Sequence, residues 1–238
     1  MALDRVAALT LDLDDTLWPV RPALVAAERA LADWLAAHAP ATAAGVDRAA
    51  MLALRAEVAA AHPQWQHDLS ALRLETIRRA LRSQGDDPAL AEPAFEVFFA
   101  ARQRVTLYDD VPAGLARLAA RFRLVALSNG NADISRIGLG RYFHAAVSAR
   151  THGAAKPAAS IFHAACAQAG AVPERVLHLG DDLEVDVAAA LDAGLQGGWI
   201  CRPDHPSRRE PAAAMTVAAR AQAHVWPDLA AVADALGC

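Results

Sequence analysis

The stretch LTLDLDDTLW, residues 9 to 18, begins as an apolar run and ends in three carboxylates, Asp12, Asp14 and Asp15, followed by Thr16. Carboxylates crowded this closely repel and raise one another's pKa, so something must compensate them. The run that leads into them, VAALTLDL (6 to 13), is short, apolar and rich in strand formers, the pattern of a strand buried on both faces of a parallel sheet. Side chains alternate along a strand, so Asp12 and Asp14 project to the same side as the chain leaves the sheet. Two carboxylates converging at a strand end suit a nucleophile and a general acid, the second kept protonated. Taken alone, the same residues also fit a turn that happens to be rich in Asp.

The pattern turns helical from about residue 22. ALVAAERALADWLAAHA runs to Pro40, DRAAMLALRAEVAAAH follows a good N-cap at Asp47, LSALRLETIRRALRSQ stops at Gly85, and a fourth helix, with Pro88 near its start, carries AFEVFFAARQR. No strand-like segment interrupts these four, so residues 19 to 105 read as a separate helical bundle. After TLYDDV, helix and strand alternate strictly: GLARLAARF, RLVALS, a short helix, AAVSA, ASIFHAACAQAG, RVLHLG, EVDVAAALDAG, GGWICR. That order implies a parallel sheet covered on both faces, with ligands bound at the carboxyl ends of the strands. The expected fold is therefore α/β: a Rossmann-like parallel-sheet core (1–18 and 106–238) with an α-helical bundle (19–105) inserted after its first strand. PDHPSRREP (203 to 211) reads as a polar surface loop.

Three later pieces can carry chemistry. LSNGN places Ser128, Asn129 and Gly130 at the end of a strand, where a hydroxyl followed by backbone N–H groups makes a cradle for phosphate oxygens. An ordinary strand-to-helix turn fits that piece equally well. Lys156, in HGAAKPAAS, precedes a helix that Pro157 would open. A lone loop lysine is usually solvated, but at the sheet's active edge its charge could stabilise a carboxylate and a phosphoryl group together. LGDDLEVD (179 to 186) again crowds carboxylates at a strand end: Asp181, Asp182, Glu184 and Asp186. With the first cluster they form an oxygen-rich pocket suited to a hard cation, Mg²⁺ above all, and that ion with Lys156 would offset the repulsion. Helix N-capping is the competing role, more fitting for Glu184 and Asp182 than for Asp181.

Composition narrows the partners. With 23 Lys and Arg against 27 Asp and Glu, the formal net charge of −4 leaves no electrostatic footprint for nucleic acid or an anionic membrane. Hydrophobic residues make up 55 % of the chain but aromatics only 5 %, which predicts closely packed helices with small side chains. Cys166, Cys201 and Cys238 are odd in number and widely spaced, so they read as thiols of a reducing compartment. Asp12 interrupts the first apolar run too soon for a signal peptide or a membrane span. The expectation is a soluble, cytoplasmic protein.

The ordered set DLDDT, LSNGN, AKP and GDDLEVD, each at a strand end between residue 6 and about 202, closely resembles the haloacid-dehalogenase-like hydrolase superfamily. The resemblance implies that Asp12 attacks phosphorus, that Asp14 protonates the leaving alkoxide and later activates water, that Ser128 binds a phosphoryl oxygen, and that Lys156 neutralises the nucleophile and the transferring group. It also implies Mg²⁺ held by the Asp12 carboxylate, the Asp14 backbone carbonyl and Asp181, with Asp186 nearby, and Thr16, Asn129 and Gly130 at the substrate. Dehalogenases proper lack the second aspartate of the first motif, so Asp14 makes the chain similar to the phosphatases. SNGNAD, HGAAKP and LHLGDDLEVDV look like the branch whose bacterial members act on flavin mononucleotide and 5-amino-6-(5-phospho-D-ribitylamino)uracil, which would put the chain in riboflavin biosynthesis. The implied partner is a small phosphomonoester, with no nucleic acid or membrane, and the protein a monomer or homodimer. Other phosphomonoesters (sugar phosphates, phosphoglycolate, nucleotides), a phospho-accepting signalling module that does not turn over, and a degenerate scaffold are the competing readings. In the helical insertion, Trp65 of HPQWQHD either stacks on a flat substrate or plugs a core, the second being the commoner role. Trp34, on the apolar face of its helix, is expected in the core.

Overall fold

The computed structural model describes residues 3–202 and 223–238, so the polar stretch 203–211 lies outside the described residues. The chain divides into two compact units, Met1–Pro19 with Thr106–Cys238, and Val20–Val105.

The first unit is built on a six-stranded parallel sheet: β1 (Ala8–Leu11), β2 (Arg123–Ser128), β3 (Ala145–Ser148), β4 (Val176–Gly180), β5 (Gln196–Ile200) and β6 (His224–Trp226), in spatial order β3-β2-β1-β4-β5-β6. This is the expected α/β architecture. β1 lies between β2 and β4, and its four residues are all buried, as a strand without polar alternation must be when helices cover both faces. Leu11 pairs with Ala126 on one side and Leu179 on the other, so Asp12 leaves the sheet level with the ends of both neighbours. β1 is shorter than the expected 6–13, because from Leu13 the chain turns instead of extending. β6 and the helix Leu229–Ala235 add an edge that the alternation did not predict, three residues being too short a pattern to read. One face of the sheet packs its valines and leucines against the helix Ala159–Ala169, whose alanines allow close approach.

The second unit is all helical: Val20–His38, Pro40–Gly45, Arg48–Ala61, Leu69–Gln84 and Ala91–Arg102, packed around Leu31, Leu35, Ile77, Leu81 and Phe98. Asp47 and Asp68 accept backbone N–H groups at the starts of the third and fourth of these, and Gly85, at φ +82°, ends the fourth. The short helix Pro40–Gly45 was not expected. It is tied down by Asp86, which accepts from both the amide and the hydroxyl of Thr42 at 2.7 Å. Trp34 is only half-buried, its ring stacked on His38 at 4.3 Å. The buried stripe of its helix runs Ala23, Ala27, Leu31, Leu35, and position 34 falls on the flank of that stripe rather than in the core.

Candidate active site

Asp12 is buried where β1 ends, its amide still donating to Leu179 O at 2.8 Å. The next residues fold back sharply. Asp15 takes φ +58°, a left-handed conformation that Asp tolerates better than most residues, and its amide donates to Trp18 O at 2.7 Å. This turn brings the fully buried Trp18 against Asp14, and the indole Nε1 donates to Asp14 Oδ1 at 2.8 Å. Thr16, also fully buried, donates its hydroxyl to Asp181 Oδ1 at 3.3 Å, linking the end of β1 to the end of β4.

Beyond β4, Asp182 accepts from the amides of Glu184 and Val185 at 2.8 Å. The capping role thus falls to Asp182, while Glu184 is exposed in the first turn. The turn that follows, Leu183–Ala188, is a π-helix in which Val187 N reaches Asp182 O, a geometry often met at functional sites. It carries Asp186 inward until the carboxylate lies over Gly180, where any Cβ would collide with it. Asp186 Oδ2 accepts from the Asp182 amide at 3.1 Å.

Lys156 completes the cluster. Its Nζ donates to Asp12 Oδ1 and to Asp186 Oδ1, each at 2.5 Å, and its side chain is only 2 % exposed. The backbone of Lys156 is held by one side chain: Asn129 Nδ2 donates to Lys156 O at 2.9 Å and Asn129 Oδ1 accepts from Lys156 N at 2.7 Å. Pro157, joined to Lys156 by a cis peptide, lies ahead of its helix, which begins only at Ala159. At the end of β2, Ser128 is buried and its Oγ accepts from Gly130 N at 2.9 Å, a local turn that aims the loop.

His178 and Arg202 were not singled out in the sequence. His178 is fully buried in β4, bridging Thr10 Oγ1 at 2.9 Å and Asp186 Oδ1 at 3.3 Å. A carboxylate only accepts, so Nε2 carries the proton and Nδ1 accepts from the threonine hydroxyl. The one available signal was an imidazole inside the otherwise apolar VLHLG.

Burial raises Asp12 well above the ordinary carboxylate pKa; Lys156 offsets part of this, while the charges of Asp186 and Asp181 add to it. Burial would raise Asp186 too, but Lys156 and the His178 hydrogen bond outweigh it and hold that carboxyl low. Burial lowers Lys156 less than the two carboxylates raise it, so it stays a cation, whereas burial keeps His178 neutral. Asp12 is thus the group whose charge the site resists until further positive charge arrives.

One oxygen each of Asp12, Asp181 and Asp186 lies within 4.8 Å of the others, an all-oxygen donor set of the kind hard divalent cations take. The residues present therefore fit Mg²⁺, and the resistance of Asp12 to ionisation is what a bound cation would remove.

The family model for haloacid dehalogenase-like hydrolases matches residues 6–194. The chain belongs to that family. A curated relative, the 5-amino-6-(5-phospho-D-ribitylamino)uracil phosphatase YigB of Escherichia coli, is 34 % identical over 207 residues, covering 85 % of this chain and 86 % of the relative. The phosphoserine phosphatase of Thermus thermophilus is 32 % identical over 143 residues, 56 % of this chain and 57 % of the relative. Among solved structures, a 2-haloacid dehalogenase from Pseudomonas syringae superposes with a TM-score of 0.84 at 32 % identity, covering 98 % of both chains. This haloacid dehalogenase-like hydrolase is a phosphatase. The segments that carry Asp12, Lys156, Asp181 and Asp186 meet in one cluster, with Thr16 attached through Asp181 and the Ser128–Gly130 loop attached through Asn129. Trp65 belongs to the helical unit, where it is half-buried with its ring stacked on His62 at 4.0 Å. No helix among the described residues is long and apolar enough to cross a membrane.

Proposed function

We propose that the protein is a Mg²⁺-dependent phosphomonoesterase that works through an aspartyl-phosphate formed on Asp12, with a phosphorylated ribityl compound, flavin mononucleotide or 5-amino-6-(5-phospho-D-ribitylamino)uracil, as substrate. The observation that carries this is the buried Asp12–Lys156–Asp186 cluster: a carboxylate aimed out of the central strand, next to a permanent cation and two more carboxylates. In the proposed reaction an Asp12 oxygen forms a bond to phosphorus as the ester P–O bond breaks, and Asp14 passes its proton to the departing alkoxide. Asp14 then takes a proton from water, which attacks phosphorus and releases phosphate and the Asp12 carboxylate. Lys156 holds Asp12 in line and neutralises charge on the transferring group, and Ser128, Asn129 and Gly130 orient its oxygens, while Thr16, expected at the substrate, is fully buried and donates its hydroxyl proton to Asp181 instead. Mg²⁺, held by the carboxylates of Asp12 and Asp181 and the Asp14 carbonyl with Asp186 beside them, would supply charge neutralisation at the phosphoryl group.

Asp14 favours phosphate esters over haloacids, because an alkoxide leaving group needs a proton and a halide does not. The substrate class rests on the likeness over most of both chains to a relative named for it. Three free cysteines, two of them buried, support a reducing compartment such as the cytoplasm. Phosphate release from a panel of phosphomonoesters, with Mg²⁺ and with chelator, tests the proposal. Chelator should abolish turnover and the two ribityl phosphates should lead in kcat/KM. A sugar phosphate, phosphoglycolate or a nucleotide well ahead of both would overturn the substrate assignment, and hydrolysis unaffected by chelator would overturn the metal. One stoichiometric labelling without turnover would leave a phospho-acceptor.

A further inference from the structure

We infer that Arg202 is a positioning residue that holds the Asp14–Trp18 turn, and through it Asp181, in working geometry; the inference rests on reading that turn as part of the reacting site. Arg202 follows β5, on the far side of β4 from β1, and is buried. Each of its three guanidinium nitrogens has a partner: Nε and Nη2 donate to Thr16 O at 3.2 and 2.7 Å, and Nη1 donates to Asp110 Oδ1 at 2.5 Å. The guanidinium also lies over the Tyr108 ring, 4.2 Å from its centroid. Asp110 is itself fixed, its other oxygen accepting from Leu229 N at 2.8 Å, and Tyr108 N donates to Leu17 O at 3.1 Å.

A buried guanidinium is costly to desolvate, and the carboxylate with an aromatic face offsets that cost. What remains distinctive is that two of its donors converge on a single backbone carbonyl, that of the residue after Asp15. Asp15 is left-handed, a conformation that a residue with a side chain keeps only where the surroundings impose it. The hold on Thr16 O supplies that imposition. Thr16 in turn donates its hydroxyl to Asp181, and Trp18, at the end of the same turn, orients Asp14. One cation outside the reacting cluster therefore sets the geometry of two of its carboxylates.

The test compares Arg202→Met, Thr16→Val and the double variant, with Arg202→Lys as the conservative replacement. Two readouts are taken well below the melting temperature: Mg²⁺ affinity by calorimetry, and kcat and KM separately on the best substrate of the wild-type chain. Arg202→Met should weaken Mg²⁺ binding roughly ten-fold, the scale seen when a group supporting a metal ligand is lost. It should lower kcat on the order of 30- to 100-fold with KM within about three-fold, as a misplaced reacting group does. Thr16→Val should weaken Mg²⁺ similarly, the double variant no further, and Arg202→Lys should recover part of both losses. If Arg202→Met does not fold, Asp110→Asn, which loosens the anchor and leaves the guanidinium, should shift the same readouts in the same direction. A variant that melts lower yet keeps wild-type Mg²⁺ affinity and kcat makes Arg202 merely structural and overturns this inference alone, as do additive losses in the double variant. A wild-type chain that neither binds Mg²⁺ nor releases phosphate overturns the proposed function, and the inference with it.

Discussion

Replacing Lys156 by Met and Asp12 by Asn should move stability in opposite directions while both stop turnover. Met fills the lysine's volume without its charge, leaving Asp12 and Asp186 facing each other in a site where the lysine had bonded each at 2.5 Å. Removing one partner of a buried ionic cluster costs about 3–5 kcal/mol. Asp12, already resisting ionisation, can take up a proton and relieve part of that repulsion, so the lower end applies. At about 2–4 °C per kcal/mol, Lys156→Met should melt roughly 6–12 °C below the wild type at neutral pH in chelator. Asp12→Asn instead removes the carboxylate whose charge the site opposes and leaves the Lys156–Asp186 pair intact, so its melting temperature should equal or exceed that of the wild type. Turnover should fall at least ~10³-fold in both, the scale of losing a member of a catalytic unit. Thermal melts of the three proteins in chelator, followed by phosphate release with Mg²⁺, decide it. A Lys156→Met melting point within about 2 °C of the wild type, or an Asp12→Asn protein melting more than about 2 °C below the wild type, would refute the electrostatic account.

Asp14→Asn should slow esters with basic leaving groups far more than aryl phosphates, because proton donation matters most to a poor leaving group; equal losses would take the proton from Asp14. His178 is held neutral in the fold, so its folded pKa lies below the unfolded ~6.5. Its contribution is complete above that value and is lost as pH falls from about 6.5 through the lower folded pKa, since the unfolded chain takes up the proton first. Melting temperature in chelator should therefore decline below pH ~6.5 more steeply in the wild type than in His178→Asn, and parallel profiles would contradict this.

The sheet was legible because its strands are continuous apolar runs that stop at polar turns, and three of the four chemical segments because each directly follows such a run; Lys156, expected at a strand end, stands beyond the helix Ala149–His152 that follows β3. Asp12, Lys156, Asp181 and Asp186 could be brought to one edge of the sheet from strand order alone. What sequence could not carry is pairing between single residues far apart. Arg202 reads as a solvated charge after a strand, and its bond to Thr16 spans 186 positions. His178 hides in an apolar strand, where an imidazole suggests nothing about its two partners. The left-handed Asp15 and the π-helix at Leu183 are also silent, since neither needs a glycine, a proline or a break in the apolar pattern. The edge strand β6 was missed for the opposite reason, a pattern present but too brief to separate from its surroundings.

The double grip of Asn129 on the Lys156 peptide unites the loop after β2 and the loop before the helix Ala159–Ala169 into one mechanical part. A carboxamide donating to one backbone carbonyl and accepting from the neighbouring amide imitates a rung of sheet ladder where no sheet exists. The segment that would grip phosphate and the cation that would sit behind the nucleophile are then not independent modules. Anyone transplanting the Ser128–Gly130 loop from a relative, to change what the enzyme accepts, inherits or loses the lysine's placement with the same cut. Asn129→Asp, isosteric but without a donor, would set a carboxylate against the Lys156 carbonyl and disengage the two loops without deleting a single group from the reacting cluster.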